Sequence, residues 1–103
     1  MLSTKTINGI KKRILSKYPS EKIILFGSQA TGKADKKSDV DLLLIMNKPK
    51  NKFKLMDQIT SDLLSLNYAF DVIILSLDEF NRDKKYPGTV ARYASQEGIV
   101  LYG

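Results

Sequence analysis

The chain contains neither cysteine nor histidine. Disulfide scaffolds, thiol nucleophiles, Cys/His zinc sites and Ser-His-Asp triads are therefore excluded together. No apolar run approaches the ~20 residues that span a bilayer. The start, Met1-Leu2-Ser3-Thr4-Lys5, lacks the continuous apolar stretch of a secretory signal, so a soluble, cytoplasmic chain is expected. Low-complexity segments and repeats of 20–50 residues are also missing. What is present is ordinary globular composition, 43% hydrophobic and 27% charged, in 103 residues. That length suits one domain, residues 1–103, with a modest core. Any chemistry must run on carboxylates, hydroxyls, lysines and a hard metal ion.

Charge is unevenly distributed. Residues 1–54 carry a net +9 and residues 55–103 a net −3, for +6 in all. A basic half can mark a nucleic-acid or nucleotide partner, but these lysines are dispersed and not interleaved with aromatics. The cluster Lys48-Pro49-Lys50-Asn51-Lys52-Phe53-Lys54 reads more simply as a solvated loop, and nucleic acid is disfavoured as a partner.

Periodicity supplies the elements. Ile7, Ile10, Ile14, Leu15 and Tyr18 recur at helical spacing until Pro19 stops them. Lys22 to Phe26 is a short apolar run ending at Gly27, a buried strand. Residues 28–38 are polar, a helical turn followed by a loop. Val40 to Met46 is a second strand, and Phe53, Met56, Ile59, Leu63, Leu64 and Leu66 form a helical stripe. Phe70 to Leu75 is a third strand. A polar helical stretch (77–86), a helix from Thr89 to Glu97 closed by Gly98, and a short strand Ile99–Tyr102 complete the chain. The β-α-β unit over 39–75 is long enough for a right-handed crossover between parallel strands. The fold class is α/β, a small mixed sheet of three or four strands packed with helices.

Asp39 and Asp41 stand at the entrance of the second strand, where residues i and i+2 face the same way. Unpaired, two such carboxylates repel each other; together they can converge on a cation. Asp71 heads the third strand, and a parallel crossover brings it to the same sheet edge. Three carboxylates there, without His or Cys, describe an all-oxygen site for Mg²⁺ or Mn²⁺. The plainer alternatives are a solvated strand end with Asp39 capping a turn, and an Asp71 that merely faces water. Gly27-Ser28 follows the first strand, where glycine admits a ligand close to the backbone and serine can present its hydroxyl to an anion. Alone, that pair would be an ordinary turn.

Gly27-Ser28-Gln29-Ala30-Thr31-Gly32-Lys33-Ala34 comes within one residue of a P-loop, yet Ala34 lacks the hydroxyl that holds Mg²⁺. The following residues also lead into a strand where a P-loop requires a helix. The pattern that does fit is Gly27-Ser28, ten residues, then Asp39-Val40-Asp41: G-S-x10-D-x-D. It resembles the signature of the nucleotidyltransferase superfamily that includes DNA polymerase β and the antibiotic nucleotidyltransferases. Over essentially its whole length the chain looks like a minimal nucleotidyltransferase (MNT) domain, the antitoxin half of HEPN–MNT toxin–antitoxin pairs. Phe26 to Gly32, Ser38 to Leu43, Phe70 to Ile73 and Glu97 to Tyr102 carry the resemblance.

The resemblance implies a polymerase β palm-like fold and transfer of AMP from ATP onto a hydroxyl, plausibly a tyrosine of a HEPN ribonuclease toxin. Asp39, Asp41 and Asp71 would then be catalytic and hold two Mg²⁺ ions, with Asp71 also accepting the acceptor's proton. Gly27 and Ser28 would cradle the β- and γ-phosphates. Where many relatives carry an arginine this chain has Thr31, and Lys33, Lys36 or Lys37 would contact phosphate instead, as a point charge and not a fork. With no second domain to hold an acceptor, the chain would borrow that surface from a partner, as a homo- or hetero-oligomer. The competing readings are a catalytically idle module that restrains its partner by contact, and a nucleic-acid-binding domain.

Overall fold

A computed structural model describes residues 2–35 and 38–103. The chain runs α1 (Thr4–Leu15), β1 (Lys22–Phe26), α2 (Ser28–Thr31), β2 (Val40–Met46), α3 (Lys52–Leu63), a 3₁₀ turn (Leu64–Leu66), β3 (Phe70–Ser76), α4 (Leu77–Asp83), α5 (Val90–Glu97) and β4 (Ile99–Tyr102). None of the described helices is long and apolar enough to cross a membrane.

The four strands form one mixed sheet in the order β3-β2-β1-β4. β2 and β3 pair in parallel, as the length of their connection allows, while β1 runs antiparallel to both β2 and β4. Because side chains alternate along a strand, the sheet has two inner faces. Leu42, Leu44 and Met46 of β2 join Val72 and Ile74 of β3 beneath α1 and α3, which contribute Ile10, Ile14, Ile59 and Leu63. Leu43 and Ile45 point the other way and meet Phe80 of α4 with Ala91 and Ala94 of α5. Full burial on both faces explains why β2 reads as a continuous apolar run without alternation.

Local chemistry sets the element ends. Ser3 caps α1 by accepting from the Thr6 N–H, and Thr89 caps α5 by accepting from the Arg92 N–H. At the β3–α4 junction, the Ser76 hydroxyl accepts from the Glu79 N–H and Glu79 Oε1 accepts from the Ser76 N–H, a complete capping box. Lys52, in the first turn of α3, donates to both Glu79 oxygens at 2.8 and 2.9 Å and ties the starts of two helices together. The Lys52 ammonium and the Ser76 N–H hold the Glu79 carboxyl down at about 2, from 4.5. A lowered carboxylate value stabilises the fold fully above the unfolded value and is lost as pH falls through the folded one. Glu79→Gln is therefore expected to lower the thermal midpoint at pH 7 by roughly 5 °C, about 1 kcal/mol in a partly exposed site. It should also flatten the loss of stability between pH 4.5 and 2. A pH-midpoint series on both proteins checks this, and parallel curves would count against the pairing.

One expectation needs correction. The apolar stripe of the third helix does not include Phe53 or Leu64: Phe53 is 78% exposed and Leu64 also faces solvent. At 3.6 residues per turn, the inward face is Leu55, Met56, Ile59 and Leu63, and Phe53 lies about 120° around from Ile59. Gly98 closes α5, as expected, in extended conformation (φ −75°, ψ 159°). Glycine is required there by space: a Cβ would run into the Ala94 carbonyl and the Ile24 side chain.

Candidate active site

β1 ends at Phe26, and register places Phe26 beside Asp41 of β2 and Asp41 beside Asp71 of β3. Asp41 shares the parity of Leu43 and Ile45, so its side chain lies on the sheet face that α4 and α5 cover farther along. Asp71 has the same parity as Ile73 and Leu75. The Val40 N–H donates to the Ala69 carbonyl at 2.8 Å, extending the ladder by one link and holding Asp39 against the start of β3. The parallel crossover thus delivers all three carboxylates to one edge of the sheet, as their positions at strand heads predict.

Asp41 is half-buried; Asp39 and Asp71 are exposed. Burial pushes the Asp41 carboxyl above its ordinary value, and the neighbouring charges of Asp71 and then Asp39 push it further. Among the described residues no three acidic side chains are grouped closely enough, as they stand, to hold a metal ion.

Gly27 abuts this cluster. Its backbone (φ 73°, ψ −155°) occupies a region essentially restricted to glycine. A Cβ added there would overlap the Asp41 Oδ2, so the glycine is required both by its dihedrals and by the carboxylate packed against it. From Gly27 the chain enters the single turn of α2, whose Ala30 and Thr31 N–H groups return to the Gly27 carbonyl. Ser28 is the first residue of α2, directly beside Gly27, and its hydroxyl makes no hydrogen bond among the described residues. Gly32, left-handed at φ 78°, ends the turn, and the Lys33 N–H donates to the Ser28 carbonyl at 3.1 Å. Lys33 is exposed. Lys36 and Lys37, the other phosphate candidates, lie outside the described residues.

One residue of the site escaped the sequence reading. Gln29, in α2, is the only buried polar side chain among the described residues, and its Nε2 donates to the Ser38 carbonyl at 3.4 Å. A helix of four residues has no periodicity to reveal which of its side chains turns inward. The remaining buried-edge polar cluster, Tyr18 donating to Asp62 at 2.7 Å with Lys17 alongside, joins α1 to α3 on the opposite side of the sheet. There the Tyr18 hydroxyl holds the Asp62 carboxyl below its ordinary value. It touches none of the three strand-head carboxylates.

The donor set is all oxygen, carries three formal charges, and sits where a glycine leaves room beside a carboxylate; those features fit hard divalent cations such as Mg²⁺ or Mn²⁺. Residues 7–100 match the nucleotidyltransferase domain family, and the chain belongs to it. A protein of Methanocaldococcus jannaschii, provisionally named a protein adenylyltransferase, is 34% identical over 99% of this chain and 100% of its own length. Two solved structures share the fold. A toxin–antitoxin structure with AMP-PNP superposes with a TM-score of 0.66 at 22% identity, covering 94% of this chain and 73% of its own. The tri-AMPylated Shewanella oneidensis HEPN toxin in complex with MNT antitoxin gives 0.65 at 20% identity, covering 99% and 73%.

Proposed function

We propose that this chain, acting as one nucleotidyltransferase domain over residues 1–103, transfers AMP from ATP to a hydroxyl, specifically a tyrosine of a cognate HEPN toxin, and so serves as its antitoxin in the cytoplasm. The observation that carries the reading is the packing of Asp41 against Gly27 on one side and its register with Asp71 on the other. That contact brings a phosphate-type turn and an acidic cluster to a single point. The relatives support the substrate: one is named for protein adenylyltransfer, one structure contains AMP-PNP and another a tri-AMPylated toxin.

Each residue then has a role. Asp39, Asp41 and Asp71 are the residues that would hold two divalent ions, Mg²⁺ or Mn²⁺; bound there, such ions neutralise the triphosphate and acidify the attacking hydroxyl. Gly27, with no side chain in the way, lets the polyphosphate approach the backbone. The Ser28 hydroxyl, which has no partner among the described residues, donates to a β- or γ-phosphate oxygen, and Lys33 adds positive charge from the exposed end of the turn. The acceptor oxygen attacks the α-phosphorus in line, an O–P bond forms, and the bond to pyrophosphate breaks. The acceptor's proton passes to Asp71, the exposed carboxylate nearest to Asp41 along the register. Positioning and charge neutralisation supply most of the acceleration.

Restraint by contact alone is the second reading. The outer strand β4 favours it: Ile99, Val100 and Tyr102 are exposed on a sheet edge with no charged residue within the strand. Intact mass spectrometry of the neighbouring-gene product after co-expression separates the two. AMP adducts on tyrosine with the wild type, and none with Asp39→Asn/Asp41→Asn, are expected. A stable complex without added mass from both versions would replace transfer by contact.

A further inference from the structure

Gln29 is only 4% exposed, whereas its neighbours in α2 are less buried or exposed. An amide is costly to bury unless its hydrogen-bonding capacity is used, and a hydrophobic side chain would fill the same space at lower cost. Its Nε2 has one partner among the described residues, the Ser38 carbonyl. That carbonyl belongs to the peptide leading directly into Asp39. The next peptide along, between Asp39 and Val40, is anchored by the Val40 N–H to the Ala69 carbonyl. Asp39 is therefore suspended between two fixed peptide groups, one held by α2 and the other by the β3 side of the sheet. Asp35 and Ser38 also hydrogen-bond to one another, at 2.9 and 3.2 Å.

We propose that Gln29 is a positioning residue that sets the direction of the Asp39 carboxylate through the Ser38 carbonyl. It thereby couples the Gly27-Ser28 turn to the acidic pair across the ten-residue gap of the motif. The inference rests on the reading of Asp39 as a cation ligand. Groups that orient ligands in this way typically change metal affinity by 10–100-fold when removed.

The test is Mn²⁺ binding to the nucleotide-free chain by titration calorimetry, with the metal-free thermal midpoint measured beside it. Gln29→Met keeps the length and removes the donor; about tenfold weaker Mn²⁺ binding is expected. Ile59→Val, a mild core change remote from the carboxylates, should lower the midpoint and keep wild-type affinity. Gln29→Asn keeps the amide but is one methylene too short, and should behave as Gln29→Met does; it decides the matter if the Met variant does not fold. Mn²⁺ affinity within twofold of wild type in a folded Gln29 variant would overturn the role. So would equal weakening in Ile59→Val, because instability alone would then explain it. A wild-type chain that binds no Mn²⁺ is a different result: it removes the cation site itself, and this inference with it.

Discussion

Replacing Asp41 with Asn is expected to reduce nucleotide transfer by at least about 10²–10³-fold, the usual scale for losing a preorganised charged group at the reacting centre. The metal-free fold should stay intact or gain stability. Asn has the same shape, and the β2 backbone ladder on both sides of position 41 is unchanged. What disappears is a charge that is disfavoured in the folded chain by burial and by Asp71 and Asp39. The sign follows from linkage. Because folding raises the Asp41 value above 3.8, the folded chain binds more protons than the unfolded one over that window, so stability falls as pH rises through it. Asp41→Asn should remove that decline, and Asp39→Asn/Asp41→Asn should be neutral or mildly stabilising without metal. Thermal midpoints from pH 3 to 8 with a chelator present, beside a transfer assay, check both halves. A midpoint several degrees below wild type at pH 7 would mean that Asp41 supports the fold and is not held there against an electrostatic penalty.

Gly27→Ala carries the second large effect, for two separable reasons. The dihedrals of Gly27 lie where an L side chain is strained, at about 1–3 kcal/mol, which corresponds to a midpoint lower by roughly 5–20 °C in a domain of this size. The overlap of the added Cβ with Asp41 Oδ2 acts differently. A carboxylate tip can rotate away, so the clash displaces Asp41 from the site more than it damages the core, and transfer should fall below detection even in the folded fraction. Gly32→Ala is the matched control. Its φ of 78° is also left-handed, but a Cβ there meets nothing within 4 Å. It should lower the midpoint by a smaller amount and leave the Asp41 carboxylate in place. Equal loss of activity in the two alanine variants, corrected for folded fraction, would sink the argument that Gly27 makes room for Asp41.

Much of this was legible without a structure because the signals are local. β1 and β2 begin and end where their apolar runs do, and β3 extends one residue past its own, into the Ser76 cap. The connection is long enough for a parallel crossover between β2 and β3, and parallel strands start at one edge; their adjacency in the sheet then sets Asp39, Asp41 and Asp71 at that edge. The turn at Gly27-Ser28 was legible because glycine after a buried strand marks a backbone need that few residues meet. Phe53 and Leu64 were misplaced because hydrophobicity in a sequence does not say which side of a helix faces the sheet. Only the rotation of α3, set by Ile59 and Leu63 beneath β2 and β3, decides that. Gly98 ends α5 as its position after the helical run suggests, but the need for glycine there is tertiary: Ile24, seventy-four positions earlier, comes too close for any side chain.

The sequence by itself determined the type and extent of the elements, the exclusion of sulfur and imidazole chemistry, and the three carboxylates with their glycine-serine turn. These depend on periodicity, on residue inventory and on dihedral demands that act over a few positions. Tertiary structure alone decided that β1 inserts antiparallel between β2 and β4, that Asp41 is half-buried against Gly27 while Asp39 and Asp71 stay exposed, and that Gln29 turns inward to Ser38. Those outcomes depend on which distant surfaces exclude water from a given side chain. Burial, and the pKa shifts and hydrogen bonds that follow from it, is a property of the packed sheet and not of any short stretch of chain.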